Sequence, residues 1–224
     1  MVVAVDGPAA SGKSTVSRLV AEALNFLHVD TGSMYRAFTW KVLDAGLDPK
    51  DTAAVLDLMK RVRFECDFVP NAQGLRQVRN LFDGVDPGPA IRTPRVEQSV
   101  SVIAAIPPVR EWMVARQREL AKQGDLVVEG RDIGTVVFPG TPFKFYLDAS
   151  PEIRAQRRAA DQSGAGVREV GQAMAERDRR DSSRAVAPLK VADDAVRIDT
   201  SDHEAQGVAD VVLKHIRSRY LARK

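Results

Sequence analysis

A glycine-rich segment near the start of the chain has the residue types and spacing of a phosphate-binding loop. Residues 7–14 read Gly-Pro-Ala-Ala-Ser-Gly-Lys-Ser, which fits the pattern Gly-x-x-x-x-Gly-Lys-Ser/Thr at every defined position. Glycine lets backbone N–H groups turn toward phosphate oxygens without a side chain in the way. We expect Lys13 to reach the β- and γ-phosphates of a nucleotide and the Ser14 hydroxyl to bind Mg²⁺. The residues expected at the nucleotide are Gly7, Pro8, Ala9, Ala10, Ser11, Gly12, Lys13, Ser14 and Thr15. The alternative is a glycine-rich turn that only connects two elements.

The flanking residues predict the elements that position this loop. Residues 2–6 form a short apolar run, typical of a buried parallel strand, and apolar residues at helical spacing predict a helix over 13–24. The N terminus of that helix adds partial positive charge near the phosphates. GTPases, motor ATPases, transporters and kinases all use such a loop. The chain has no Asn-Lys-x-Asp segment and no Leu-Ser-Gly-Gly signature, and its small size favours a small-molecule kinase.

Strands that alternate with helices predict an α/β fold with a five-stranded parallel sheet covered by helices on both faces. The predicted strands are 2–6, 26–29, 126–130, 143–147 and 195–199, and the predicted helices are 13–24, 33–45, 53–61, 93–105, 108–123, 151–161, 167–180 and 204–220. Residues 62–91 mix short alternating pieces with turn residues such as the segment 71–74, which predicts a small β-rich insertion. We therefore expect a single domain, 1–224, with its core in about 1–61, 92–150 and 186–224.

Composition limits the class of protein. Hydrophobic residues at 44% and charged residues at 28% are ordinary for a soluble globular protein. No apolar run approaches the roughly 20 residues of a membrane span, and no signal peptide is expected. The single cysteine, Cys66, excludes an intramolecular disulfide and is consistent with a cytoplasmic protein. The isoelectric point near 9.1 suggests a nucleic-acid partner, but the net charge is only +3. A local arginine excess over 151–190 suits a small polyanion at least as well.

Five further motifs resemble bacterial cytidylate kinase, from the phosphate loop nearly to the C terminus. They are Asp30-Thr31-Gly32-Ser33-Met34-Tyr35-Arg36, Ile91-Arg92-Thr93, Pro107-x-Val109-Arg110, Gly130-Arg131-Asp132-Ile133-Gly134-Thr135-Val136-Val137-Phe138-Pro139 and Arg177-Asp178-x-x-Asp181-x-x-Arg184-Ala185-x-x-Pro188-Leu189. The resemblance implies a P-loop kinase core that moves the γ-phosphoryl group of ATP to CMP or dCMP with Mg²⁺. It also implies a monomer, with no nucleic acid or membrane as partner.

The resemblance assigns a role to each matching residue. Arginine suits a phosphate dianion because it is permanently charged and donates two parallel hydrogen bonds. A carboxylate facing N4 and a guanidinium facing N3 and O2 suit cytosine, and uracil would leave both unpaired. The implied CMP-binding residues are Arg36, Arg131 and Arg184 at the phosphate, Tyr35, Arg177 and Asp181 at the ribose, Ser101, Arg110 and Asp132 at the base, and also Thr31. Lys13, Arg131 and Arg184 are the implied catalytic residues. Arg157, with Arg154 and Arg158, is implied at the ATP phosphates.

These roles imply a mechanism without a general base, because the attacking phosphate oxygen is already anionic. The insertion at 62–91 is expected to close over the acceptor, and the arginine-rich segment 151–185 to act as a lid over ATP.

Each assignment has a structural alternative. Arg131 and Asp132 would also suit a loop salt bridge, and the segment 177–184 would suit a solvated helix face with i,i+4 ion pairs. Tyr35 would suit the core, Ser101 a helix face, and Asp30 with Thr31 a helix cap. UMP, another monophosphate or shikimate are the alternative acceptors. A nucleotide-dependent regulatory or RNA-binding protein is the alternative from another class, although only 6% of the residues are aromatic.

Overall fold

The computed structural model of the chain describes residues 1–70, 76–161, 166–184 and 186–221. It divides into two compact units. The first contains Met1–His28 and Gly124–Lys224, and the second contains Val29–Gln123. Each unit has its own secondary structure, and each carries part of the residues singled out above. Among the described residues, no helix is both long enough and apolar enough to cross a membrane.

The first unit contains parallel strands in the order β5-β1-β6-β7. These strands are β1 (Val2–Asp6), β5 (Leu126–Gly130), β6 (Phe143–Asp148) and β7 (Val196–Asp199). Val5 lies opposite Glu129 on one side and Phe145 on the other. Strand β1, which lies between β5 and β6, is apolar except for Asp6. This composition is usual for a parallel strand, because such strands are buried on both faces. Since β1 and β5 are parallel, their last residues, Asp6 and Gly130, lie at the same edge of the sheet. This is the edge where α/β proteins bind ligands.

Helices complete the first unit. They are α1 (Lys13–Leu24), α6 (Pro151–Asp161), α7 (Val167–Ser182) and α8 (Ala205–Leu221). Helices α1 and α8 pack against each other, and their apolar stripes form one core with the strands. Val16, Val20, Val212, Ile216 and Phe145 are among its buried side chains. Helices α6 and α7 form a separate packed pair. This pair carries most of the arginines of the predicted lid.

The second unit contains a helical group and a hairpin. Its elements are α2 (Thr31–Asp44), α3 (Thr52–Arg61), β3 (Phe64–Pro70), β4 (Arg76–Phe82), α4 (Pro94–Ile103) and α5 (Pro107–Leu120), and β2 (Leu27–Asp30) crosses the boundary between the units. Strands β3 and β4 are antiparallel, with Phe64 opposite Phe82. The rings of these two residues stack at 4.7 Å between centroids, and the Phe38 ring lies 5.7 Å from that of Phe82. The hairpin lies in the predicted β-rich insertion.

The α/β class with parallel strands is confirmed, and each predicted helix and strand is present with ends that differ by a few residues. Helix α2 begins at Thr31 rather than at residue 33, because the Asp30 side chain accepts a hydrogen bond from the Ser33 N–H at 3.0 Å and caps the helix. The count of five parallel strands and the single-domain layout stay predictions. Residues 71–75 of the insertion, and residues 162–165 and 185 of the predicted lid, lie outside the described residues.

The N-terminal cap of α3 makes a testable contribution to stability. The Asp51 carboxylate accepts the Ala54 N–H at 3.0 Å. Asp51→Ala is expected to lower the free energy of unfolding by about 1 kcal/mol, because that N–H loses its partner. Urea unfolding measures the change. Asp57→Ala is the matched control, because Asp57 pairs with Arg61 on the same helix and both side chains are about two-thirds exposed. It should cost less than about 0.5 kcal/mol, and equal losses would contradict the cap.

Candidate active site

The loop between β1 and α1 has the backbone conformation of an anion site. Gly7, Ala10 and Gly12 have positive φ values of 150°, 55° and 84°. A Cβ at Gly7 would lie 2.0 Å from the Leu147 carbonyl oxygen, so only glycine fits there. Left-handed residues between ordinary ones make successive N–H groups converge on an anion. Helix α1 begins at Lys13, as predicted, so its N terminus is next to the loop.

Side chains from four places in the first unit hold the loop by its carbonyl oxygens. The donors are Arg131 to Gly7 (2.6 Å), Lys13 to Pro8 (2.5 Å), Arg154 to Ala9 (3.3 Å) and Thr200 to Ser11 (3.1 Å). These hydrogen bonds to its carbonyl oxygens stabilise the conformation of the loop.

Lys13 has a strongly altered acidity. Its pKa is lowered to about 7, mainly because the ammonium group is desolvated and secondly because the positive charge of Arg131 is close. Glu129, Asp178 and Asp6 act in the opposite direction. The Lys13 Nζ also lies 3.3 Å from the Ser11 Oγ. A phosphate in the loop would bring negative charge to this amine and raise its pKa.

Glu129 is a site residue that the sequence analysis did not identify. It lies near the end of β5, is 3% exposed, and its Oε2 accepts a hydrogen bond from the Ser14 Oγ at 2.8 Å. His28 Nε2 lies 3.1 Å from the Glu129 Oε1. The available signal was an acidic residue at the carboxyl end of a buried strand. A hydroxyl beside one carboxylate fits Mg²⁺, which takes few protein ligands and binds mainly to waters and phosphates. Among the described residues, no cluster of His, Cys, Asp and Glu suggests another metal site.

Arg131 and Arg184 converge on Asp181 of α7. Arg131 Nε lies 3.0 Å from the Asp181 Oδ2, and Arg184 Nη2 donates to the Asp181 Oδ1. The Asp181 side chain is 2% exposed, so the segment 177–184 is not simply a solvated helix face. Burial lowers the pKa of Arg131, Asp181 raises it, and the charge of Arg177 lowers it further. This cluster brings together three residues that the resemblance assigns to the acceptor.

Two arginines of the predicted lid make other contacts. Arg154 pairs with Asp178 of α7 at 2.5 Å, a residue the sequence analysis gave no role. Arg157 donates from Nη1 to the Thr200 Oγ1 at 3.0 Å and from Nη2 to the Thr200 carbonyl at 2.6 Å. Thr200 in turn donates to the phosphate loop. Arg157 is therefore linked to the loop through one residue.

The second unit positions the other acceptor candidates on its helices. Tyr35 and Arg36 lie on α2, and both are buried. Arg110 of α5 is 3% exposed, and its guanidinium carbon lies 5.6 Å from the centre of the Tyr35 ring. Arg36 Nη2 donates to the Asp30 Oδ2 at 2.7 Å. Ser101 is buried on α4, which packs against α2.

Thr31 and Asp132 complete the set of predicted acceptor residues. Thr31 is buried at the start of α2 in the second unit, and Asp132 is buried after β5 in the first. Asp132 directly precedes a π-helical turn, Ile133–Val137. Arg131, its neighbour in the chain, forms an ion pair with Asp181 of α7.

Binding of ATP is expected to take up protons at pH 8 through Lys13. Its pKa is about 7, so most of the amine is neutral at pH 8. Phosphate oxygens stabilise the ammonium form, so binding takes a proton from solution. The affinity should therefore fall by up to about tenfold for each pH unit above 7. Calorimetry in two buffers that differ in ionisation enthalpy measures the uptake. Uptake that persisted in Lys13→Met would assign the proton to another group and refute the prediction.

Comparison with known proteins adds independent information. Residues 3–218 match the protein family described as cytidylate kinase. The bifunctional pantoate ligase/cytidylate kinase of Synechococcus elongatus is 44% identical, over 98% of this chain and 42% of the relative. The chain thus spans less than half the length of that relative. The cytidylate kinase of Limosilactobacillus reuteri is 42% identical, over 96% of this chain and 94% of the relative. A solved structure of an uncharacterized protein from Eubacterium ventriosum is 14% identical with a TM-score of 0.50, over 97% of this chain and 98% of that one, and it shows a shared fold alone.

Proposed function

We propose, because the chain belongs to the cytidylate kinase family, that it transfers the γ-phosphoryl group of ATP to CMP or dCMP. The products are ADP and CDP or dCDP. The observation that carries the proposal is the contact of the phosphate loop with an acceptor arginine: the Arg131 Nη1 lies 2.6 Å from the Gly7 oxygen. This contact supports a donor-phosphate site beside an arginine for the acceptor phosphate.

The loop and Lys13 are the groups that bind the donor phosphates. Backbone N–H groups of residues 9–15 and the N terminus of α1 face the phosphate oxygens, and Lys13 neutralises charge at the β- and γ-phosphates. Ser14 and Glu129 would hold Mg²⁺, which neutralises charge on the β- and γ-oxygens when it is bound. Arg157, with Arg154 and Arg158, adds positive charge on the donor side.

The acceptor residues are assigned through the resemblance. Arg36, Arg131 and Arg184 bind the phosphate of CMP, where bidentate guanidinium groups offset the repulsion between two phosphate anions. Tyr35, Arg177 and Asp181 contact the ribose. Ser101, Arg110 and Asp132 read the base, and Thr31 lies at the acceptor as well. In this assignment Asp132 accepts from the cytosine N4 and Arg110 donates to N3 or O2. Both Asp132 and Arg110 are buried, so a base that left either one unpaired would bind poorly.

The transfer needs positioning and charge stabilisation rather than a base. An anionic oxygen of CMP forms a bond to the γ-phosphorus while the bond from that phosphorus to the β,γ-bridging oxygen breaks, which leaves ADP. Lys13 and Arg131 stabilise the charge on the transferred group. Closure of the insertion at 62–91 and of the lid at 151–185 excludes water, which would otherwise accept the phosphoryl group. A monomer that works in the cytoplasm is consistent with this activity.

The test is ADP release from Mg-ATP with CMP, dCMP, UMP, AMP, GMP or shikimate as the acceptor. Strong stimulation by CMP and dCMP, with little from the others, is the expected result. If another acceptor stimulates best, the donor site stands and the cytosine assignment is wrong. If no acceptor stimulates, the kinase proposal itself is wrong.

A further inference from the structure

Asp6, the last residue of β1, is a buried carboxylate that has no part in the mechanism above. It is 5% exposed. Its Oδ1 accepts a hydrogen bond from the Ile133 N–H at 2.8 Å, and its Oδ2 accepts one from the Gly134 N–H at 2.7 Å. These two N–H groups directly follow Arg131 and Asp132 in the chain. Both carboxylate oxygens therefore hold the backbone next to two residues assigned to the acceptor.

The segment that Asp6 holds has an unusual backbone. The Asp132 carbonyl accepts from the N–H groups of both Val136, at 2.8 Å, and Val137, at 3.1 Å. Such a π-helical turn is less stable than an α-helical one and often occurs at functional sites. The N–H groups at the start of the turn have no carbonyl partner within it. Asp6 supplies that partner at the two positions that follow Asp132.

The two oxygens of the Asp6 carboxylate satisfy one N–H group each. An asparagine at the same position has one accepting oxygen, and its amide NH₂ would face the other N–H, so two donors would oppose each other. Gly134 is also matched to the contact, because a Cβ there would lie 3.3 Å from the Asp6 Oδ2 and 3.1 Å from the Lys144 Cδ. Burial raises the pKa of Asp6 to about 6, and the two backbone hydrogen bonds lower it in part. The burial of this carboxyl group is costly, and its two hydrogen bonds to the Ile133 and Gly134 backbone offset part of that cost.

We propose that Asp6 is a positioning residue for the acceptor, which fixes the Ile133 and Gly134 backbone and thereby orients Arg131 and Asp132 toward the phosphate and base of CMP. The inference rests on the proposed function. Asp6 is then a further determinant of acceptor affinity and cytosine selectivity. It lies beside the phosphate loop and outside the motif that contains Arg131 and Asp132. Because Asp6 also precedes Gly7, one short segment would position groups for both substrates.

The test is Asp6→Asn, compared with wild type by CMP binding in calorimetry without ATP and by steady-state kinetics. Loss of one buried hydrogen bond should weaken CMP binding and raise the KM for CMP by about tenfold to a hundredfold. The KM for ATP should change much less than the KM for CMP, because Asp6 acts on Lys13 only as the weakest of several charges but bonds the Ile133 and Gly134 backbone directly. The ratio of kcat/KM for CMP to that for UMP should fall, because Asp132 is no longer held. Gly134→Ala, which crowds the same contact, should change the same quantities by a smaller factor.

Asp194→Asn is the matched control, since it also converts a carboxylate to an amide near this segment. Asp194 pairs with Lys144 at 2.9 Å and is half exposed. It should leave both KM values and the CMP affinity near those of wild type. A purely structural role for Asp6 would lower the unfolding midpoint and kcat but leave the CMP affinity and the CMP-to-UMP ratio unchanged, and that result would overturn the inference. If Asp6→Asn does not fold, an unchanged CMP affinity and CMP-to-UMP ratio in Gly134→Ala would overturn it equally. Failure of the wild-type protein to bind CMP would overturn the proposed function instead.

Discussion

Lys13→Met is expected to lower kcat by about a thousandfold or more, because it removes the positive charge at the phosphates that change during transfer. Methionine has a similar length and no charge, so the loop loses the ammonium group but little volume. The lost bonds are those to the Pro8 carbonyl at 2.5 Å and the Ser11 hydroxyl at 3.3 Å. Coupled measurement of ADP release at saturating CMP and ATP gives kcat. Lys13→Arg keeps the charge but changes its geometry, so it should recover only part of the activity.

The fold of the methionine variant provides the control on this loss. The folded-state pKa of Lys13, about 7, lies below its ordinary value of 10.5. Below pH 7 the wild-type protein therefore holds a poorly solvated charge. Its stability rises between pH 7 and 10.5, because over that range the unfolded chain binds a proton at Lys13 that the folded protein does not. Lys13→Met should be at least as stable as wild type near pH 7, with an advantage that shrinks at higher pH. Lys60→Met, at an exposed lysine, should leave kcat unchanged. Near-normal turnover in a folded Lys13→Met would mean that the loop is not a catalytic phosphate site.

Arg131→Ala is expected to lower kcat/KM for CMP by about a thousandfold, comparable to the loss of an arginine that stabilises phosphoryl transfer. Arg131 bonds the Gly7 carbonyl and lies 3.0 Å from the Asp181 carboxylate, so it connects the donor loop to the cluster on α7. Arg131→Lys keeps the charge but cannot make both contacts with one planar fork, and it should recover only a small part of the activity. Initial rates at varied CMP, at saturating ATP, measure the effect. ATP affinity should change much less than CMP affinity.

Loss of Arg131 also has a structural consequence that must be separated from catalysis. The Asp181 side chain is 2% exposed, and it would lose Arg131 while it kept its contact with Arg184. Removing one partner of a buried ion pair costs up to about 3–5 kcal/mol, so the unfolding curve of Arg131→Ala has to accompany its kinetics. Arg61→Ala, at an arginine whose side chain is 67% exposed, is the control for loss of one positive charge and should not alter kcat/KM. If the folded Arg131→Ala kept kcat/KM within tenfold of wild type, Arg131 would have a structural role only.

Local patterns explain why much of this protein was predictable. The phosphate loop depends on glycine and lysine at fixed spacing within a few contiguous residues, so its function is legible in the sequence. Helices α1 and α8 and strand β1 follow from the periodicity of apolar residues, because one face or one whole strand has to be buried. The ends of elements were less predictable. Helix α2 starts at Thr31 because the Asp30 side chain caps its first turn. In the sequence, Asp30 was consistent both with a helix cap and with a part of the acceptor motif.

The tertiary structure decided the contacts between distant parts of the chain. Glu129 reaches Ser14, Asp6 reaches Ile133 and Gly134, and Asp181 lies between Arg131 and Arg184. The contacts of Glu129 with Ser14 and of Asp6 with Ile133 and Gly134 have no local signature, because parallel strands bring together residues that are more than a hundred positions apart. The pair of Asp181 with Arg184 is local, but the approach of Arg131 to Asp181 joins residues that are far apart in the sequence.

The acidity of Lys13 shows the same division between sequence and structure. The sequence by itself determined that the glycine-rich loop contains a lysine at position 13, and this pattern predicts a phosphate ligand. Its pKa near 7 depends on desolvation and on the charge of Arg131, which lies 118 positions later (131 minus 13). Electrostatic interactions depend on distance in space and on solvent access, and only the folded chain sets either of them.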